Sequence, residues 1–113
     1  MYELPKKEKK IARAAIDKGV NTAFKLALEE AGSIIKEWQE GKLDNRAAYH
    51  KLFKAVDKHD YKIARRYDHV TGSKYLMIVS AILADGHITQ DDISEFSDET
   101  KAVIRSWAKV IGG

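Results

Sequence analysis

The chain has 113 residues, of which 44% are hydrophobic and 33% are charged, and its formal net charge at pH 7 is +3. This size predicts one domain, residues 1–113, with a single core and little room for an enclosed pocket. The composition is too apolar for a disordered chain, and no apolar run reaches the roughly 20 residues that span a bilayer. Without the apolar segment of a secretion signal, we expect a cytoplasmic protein with no membrane partner. The lack of cysteine excludes disulfides, thiolate zinc sites and cysteine nucleophiles.

The first predicted element is a helix from Lys6 to Gln39, because apolar residues recur at helical spacing along it. Pro5, the only proline, stands where a helix begins. At 1.5 Å per residue the helix is roughly 50 Å long, which exceeds the body of so small a domain. A bend is expected at Gly32 and Ser33.

This long, alanine-rich helix is apolar on more than one face. It could form the surface of a monomer, but a second copy would cover it better, and we interpret it as a dimer element. The predicted dimer interface follows the apolar stripe at Val20, Phe24, Ala27, Ala31 and Ile34.

A second helix is predicted after a break at Gly41, with Asp44 or Asn45 as its cap, and it reaches about Asp68. Asp60 falls on the predicted inward arc, so it needs a partner there unless the helix is interrupted. That arc comprises Tyr49, Leu52, Phe53, Val56, Ile63 and Tyr67.

The opposite face of the second helix is basic. It could contact phosphates or an acidic protein surface, or it could simply be a solvated face. No zinc-finger, RNP or helix-turn-helix pattern accompanies it. The cations in this narrow arc are Lys51, Lys54, Lys58, Lys62 and Arg65.

The segment Ser73–Asp85 follows a turn at Val70–Ser73 and is apolar nearly all round, which predicts a helix at the buried centre of the domain. The stretch around Gly86 resembles part of a calcium loop, but hydrocarbon side chains occupy two of the early ligand positions. We therefore interpret Gly86 as a corner in the left-handed conformation, followed by a capping box of Thr89 and Asp92.

The last two predicted helices are a short one around Gln90–Glu95 and a final one capped by Ser97. The inward residues of the final helix are predicted to be Val103, Ile104, Trp107 and Ile111. The sequence thus predicts an all-α fold in which a long first helix is followed by three to four shorter helices.

No residue pattern points to catalysis or to a metal. The four histidines, His50, His59, His69 and His87, lack the i, i+4 pairing of a helical metal clamp. No phosphate-binding glycine loop or nucleophile elbow occurs. We therefore expect a protein that is not an enzyme and uses no cofactor.

The stretch "EKKIARAAIDK", Glu8 to Lys18, resembles the opening helix of the cyanobacterial fluorescence recovery protein family. The order of later elements is also similar, with a break near Lys42–Asp44, a second helix closing at Tyr67 and a glycine corner at Gly86. The resemblance implies an all-helical homodimer, formed through the long helices, that binds photoactivated orange carotenoid protein and speeds its return to the resting state. It also implies a photoprotective role without a cofactor.

The family's contact residues on the second helix are a tryptophan, an aspartate and an arginine. Here the corresponding positions are His50, Lys54 and Asp60, so we do not transfer those roles. We predict instead that a protein partner, the orange carotenoid protein or a different one, contacts His50, Lys54, Lys58, Tyr61 and His87. The alternative is a nucleic-acid-associated protein that contacts phosphates through the basic arc.

Overall fold

In the computed structural model, which describes residues 4–68 and 71–112 apart from the Ser73 side chain, every regular element is helical. The all-α prediction and the long first helix are therefore confirmed for the described residues. The turn residues His69 and Val70 lie outside them. The helices are α1 (Lys6–Gln39), α2 (Asn45–Tyr67), α3 (Tyr75–Ala84) and α4 (Asp98–Ile111), and short 3₁₀ helices cover Gly72–Lys74 and Gln90–Ile93.

The chain forms two compact units. The core unit comprises Met1–Thr22 and His69–Gly113, and the hairpin comprises Ala23–Asp68. Helix α1 contributes its first part to the core unit and the rest to the hairpin, because it continues unbroken to Gln39. It also passes through Gly32 and Ser33 without interruption, so the predicted weak point does not end the helix.

Helix α3 forms the buried centre of the core unit, as its sequence predicts, although it begins at Tyr75 after the 3₁₀ helix rather than at Ser73. Val79 and Ile82 are fully buried, and α3 packs against α4, whose Ile104 is also fully buried. Of the residues predicted to face inward on α4, Trp107 and Ile111 are instead exposed. Only a narrow stripe of α4 centred on Ile104 meets the core, so the flanks of its apolar face stay outside.

Polar contacts tie the start of α1 to the last helix of the core unit. Glu8 is buried, and its carboxylate accepts hydrogen bonds from the Ser97 backbone N–H at 2.6 Å and from the Thr100 hydroxyl at 2.8 Å. Ser97 is the N-cap of α4, and its hydroxyl oxygen accepts a bond from the Thr100 backbone N–H. The predicted cap is confirmed, and Glu8 adds a negative charge where the positive end of the helix dipole favours it.

The corner after α3 has the predicted local chemistry. Gly86 has a φ of +79°, in the left-handed region that glycine adopts without steric cost. Thr89 and Asp92 form the predicted capping box around Gln90–Ile93. The Asp92 carboxylate also accepts a hydrogen bond from the Lys18 ammonium at 2.5 Å, which ties this corner to α1.

The hairpin consists of the C-terminal part of α1 and of α2, which run antiparallel. Three pairs establish this direction, since the α1 number falls as the α2 number rises: Trp38 with Asn45, Glu37 with Lys51, and Glu30 with His59. Asp44 caps α2 by accepting a bond from the Ala47 backbone N–H at 2.7 Å, as predicted. The buried residues between the helices are Ala23, Ile34, Ala48 and Ala55.

The predicted inward arc of α2 is only partly correct, because Leu52, Ile63 and Tyr67 are half-buried whereas the other three members are exposed. Tyr49, Phe53 and Val56 are all more than half exposed, whereas the two buried residues of α2 are alanines. The small side chains let the two backbones approach closely, and the arc of larger residues is rotated away by about 100°. Asp60 lies on that outward arc and is exposed, so its carboxylate needs no partner.

Candidate functional site

Two exposed faces of the hairpin carry the residues that could bind another molecule. The buried alanines of α2 point toward α1, and angles around α2 are measured from that direction. The large apolar residues of α2 lie at about 80–140°, and the cations of α2 lie at about 240–320°. The two sets therefore point to opposite sides of the hairpin.

The first of these surfaces is apolar, and we call it the apolar face. Its members are all at least 40% exposed, and Leu28 reaches 72%. On α1 they follow helical spacing beside the buried stripe, and in an antiparallel pair the corresponding arcs of both helices turn to the same side. The apolar face consists of Phe24, Leu28, Ile35 and Trp38 on α1 and of Tyr49, Phe53 and Val56 on α2.

A shallow hollow of about 280 Å³ joins the two halves of the apolar face near the closed end of the hairpin. The Trp38 indole N–H donates to the Asn45 side-chain oxygen at 2.7 Å, which fixes the indole at the edge of this hollow. Its lining is apolar apart from Asn45, and comprises Ile34, Ile35, Trp38, Asn45, Ala48, Tyr49 and Leu52.

The side of the hairpin opposite the apolar face carries charge. Lys51 forms an ion pair with Glu37 at 3.1 Å, and His59 contacts Glu30. The hydrogen bond from His59 lowers the pKa of Glu30 and outweighs the opposing effect of burial, and the charges of Lys58 and Lys62 also lower it. Glu30 and Glu37 therefore partly neutralise the positive charge along the inner edge of the charged side, which is the edge that borders α1.

The outer edge of the charged side is basic, and we call it the basic surface. Its lysines Lys54, Lys58 and Lys62 are exposed, and none of them forms an ion pair within the described part of the chain. The Arg65 guanidinium lies 5.7 Å from the centre of the Tyr61 ring, and Tyr61 is 61% exposed. The basic surface consists of His50, Lys54, Lys58, Tyr61, Lys62 and Arg65, on an arc of about 120°.

Four of the five predicted partner-binding residues, His50, Lys54, Lys58 and Tyr61, thus lie together on the basic surface. The fifth, His87, belongs to the core unit, where it is half-buried and its Nδ1 atom has no hydrogen-bond partner among the described residues.

The predicted dimer residues differ in their exposure. Phe24 is half exposed and belongs to the apolar face, whereas Ile34 is buried within the chain beneath the hollow. Ala27 and Ala31 are partly exposed, and so is Val20, which lies in the core unit. Phe24 and the neighbouring alanines are thus accessible, and the dimer interface on α1 stays a prediction.

The exposed apolar residues Tyr49, Phe53 and Val56 of α2 are the part of the candidate site that sequence reasoning misses, because their periodicity predicts that they lie in the core. A signal was present in the sequence: Ala48 and Ala55 are spaced seven residues apart, which places two small residues on one arc beside the arc of large ones.

Neither a metal site nor a membrane segment is found within residues 4–68 and 71–112. There, no group of three or more His, Asp or Glu side chains is placed to hold a metal ion. No helix in the same ranges is both long enough and apolar enough to cross a bilayer. No family model, curated protein or solved structure matches the chain.

Proposed function

We propose that this chain is a non-enzymatic protein-interaction module that acts as a homodimer and binds a protein partner through its hairpin. The observation that supports the proposal is the apolar face. Four of its members are aromatic and about half exposed, and a fully exposed aromatic side chain offers 150–250 Å², so these four alone present roughly 400 Å² to solvent. The three aliphatic members extend the face beyond the patch size typical of monomers.

A second copy is the occupant that we propose for the apolar face. The residues buried within the hairpin are mostly alanines, so the pair of helices gains little from its own packing. Covering the exposed Leu28, Phe53 and Val56 with a second hairpin would create the large-residue core that one hairpin lacks. The four helices would then form a bundle with apolar residues inside.

The proposed partner activity follows from the resemblance to the fluorescence recovery protein family. A dimer of this kind would bind photoactivated orange carotenoid protein, or another protein with two conformational states, and would favour one state by binding it more tightly. With the apolar face covered by the second copy, the basic surface on the opposite side of the hairpin stays accessible to the partner.

The dimer is tested by measuring the mass of the purified chain with multi-angle light scattering. The partner activity is tested by measuring how fast photoactivated orange carotenoid protein relaxes in the presence of the chain. We expect a dimer that accelerates the red-to-orange relaxation. Phe53→Glu places a charge in the centre of the apolar face, so this variant should be a helical monomer over the same concentration range.

The matched control is Ser33→Glu, which adds the same charge at an exposed position of α1 on the charged side of the hairpin. This variant should remain a dimer. A parent chain that stays monomeric at high concentration would refute the proposed dimer. A dimer without effect on the relaxation would refute this choice of partner.

A further inference from the structure

The basic surface indicates which chemistry the partner presents. Lys54, Lys58 and Lys62 follow one another at intervals of four residues, so their ammonium groups form a ladder that extends about 12 Å along the helix axis. All three are exposed and free of ion pairs within the described residues. Like charges at this spacing repel each other, and an acidic partner would add to the compensation that Glu30 gives Lys58 and Lys62 from one side.

The other members of the basic surface are of the kind that protein interfaces favour. Tyr61 is largely exposed, and Arg65 lies over its ring and donates a long hydrogen bond of 3.5 Å to its hydroxyl. Tyrosine and arginine are enriched among the residues that dominate binding energies, because each combines apolar contact area with hydrogen bonding. Both side chains stand beside the lysine ladder.

The surrounding charges favour a narrow acidic partner over a nucleic acid. Glu30 and Glu37 of α1 flank the inner edge of the ladder, where they contact His59 and Lys51. A nucleic acid would bring its closely spaced phosphates near these carboxylates. A single narrow helix with carboxylates at every fourth position could follow the lysine ladder, with Glu30 and Glu37 on one side of it and the exposed Asp57 on the other.

We infer that the basic surface binds an acidic amphipathic helix of the partner protein, whose carboxylates pair with Lys54, Lys58 and Lys62 and whose adjacent apolar side chain packs on Tyr61. This inference rests on the proposed function and names the chemistry of the partner's contact segment. The binding should weaken with salt, because each of these ion pairs is at the surface.

The probe is a stapled, fluorescently labelled helical peptide with Glu at every fourth position and a leucine beside them. Its binding to the full-length protein is measured by fluorescence anisotropy, in parallel with the same peptide carrying Gln in place of Glu and with a DNA duplex. We expect the Glu peptide to bind more tightly than both the Gln peptide and the duplex. The Lys54→Glu and Lys58→Glu double variant should bind it roughly tenfold more weakly, since two attractions become repulsions.

The matched control is the Lys10→Glu and Lys25→Glu double variant, which changes the net charge equally at exposed positions of α1. It should bind the Glu peptide like the parent protein. Equal binding of the Gln peptide, equal weakening in the control variant, or tighter binding of the duplex would each overturn the inference. Light scattering on the same samples separates these outcomes from failure of the proposed dimer, because neither double variant alters the apolar face.

Discussion

The Glu8 carboxylate should be one of the strongest single contributors to the stability of the core unit. It is buried at the beginning of α1 and accepts hydrogen bonds from the Ser97 backbone N–H and the Thr100 hydroxyl at the N-terminus of α4. Glu8→Ala removes this acceptor and leaves the fully buried Thr100 side chain without its carboxylate contact. Glu8→Gln keeps the shape of the side chain and one acceptor, but loses the charge.

The magnitude follows from the two bonds. A hydrogen bond to a charged group contributes about 1.5–3 kcal/mol, and two bonds to one carboxylate are not fully additive, so Glu8→Ala should cost about 3 kcal/mol. For a chain of this length that corresponds to a decrease in Tm of about 12 °C. Glu8→Gln should cost about half as much in free energy, because the neutral amide forms weaker bonds.

The pH dependence gives a second test of the same contact. Burial raises the pKa of Glu8, but the hydrogen bonds from Ser97 and Thr100 outweigh it and hold the pKa below its ordinary value of 4.5. A carboxyl group with a lowered folded-state pKa contributes stability above its unfolded pKa and loses it as pH falls through the folded value. The difference in stability between the parent and Glu8→Gln should therefore shrink below pH 4.5.

The measurement is urea denaturation followed by the fluorescence of Trp107 in α4, in a Trp38→Phe background so that only the core unit reports. The control is Asp17→Asn, which neutralises an exposed carboxylate on the same helix and should change the stability by less than about 0.5 kcal/mol. If Glu8→Ala unfolds at the same urea concentration as Asp17→Asn, the carboxylate does not hold α4 and the reasoning is refuted.

Two further predictions concern two glycines and the contact between Lys18 and Asp92. Gly86→Ala should destabilise the protein by about 1 kcal/mol, because Gly86 has a positive φ. Gly32→Ala should stabilise it by a similar amount, because Gly32 lies within a helix and an added Cβ would meet no other atom. Thermal denaturation in which both substitutions shift Tm in the same direction would contradict this. Asp92→Asn should cost about 1 kcal/mol of stability at neutral pH and less in acid, because the hydrogen bond from Lys18 lowers the pKa of Asp92. If the difference in stability between the parent and this variant stays the same in acid, the prediction is contradicted.

The local signals in the sequence predicted the helices and their ends well, because capping chemistry acts within a few residues. Asp44 and Ser97 cap the predicted helices, and Gly86 adopts the predicted left-handed conformation. The apolar character of α3 was sufficient to place it at the centre of the core unit, since a helix without a polar face has only the interior to occupy.

Long-range polar contacts were beyond the reach of the same reasoning. Glu8 and Thr100 are separated by 92 positions, and nothing in the residues around Glu8 distinguishes it from the other charged residues at the start of α1. Burial of a carboxylate depends on which surface meets it, and periodicity along one helix carries no information about the partner of that helix. For the same reason, the pairing of His59 with Glu30 did not follow from the sequence.

The orientation of α2 shows what periodicity leaves open in the candidate site. Two adjacent arcs of this helix are apolar, one of small residues with Ala48 and Ala55 and one of large residues with Tyr49 and Phe53, and periodicity alone favours the large residues for the interior. The small arc faces α1 because alanines permit close approach of two helices within one chain. Large apolar side chains gain the most free energy when another surface covers them. The exposure of this arc in a single chain therefore supports the proposal that the hairpin binds a second molecule.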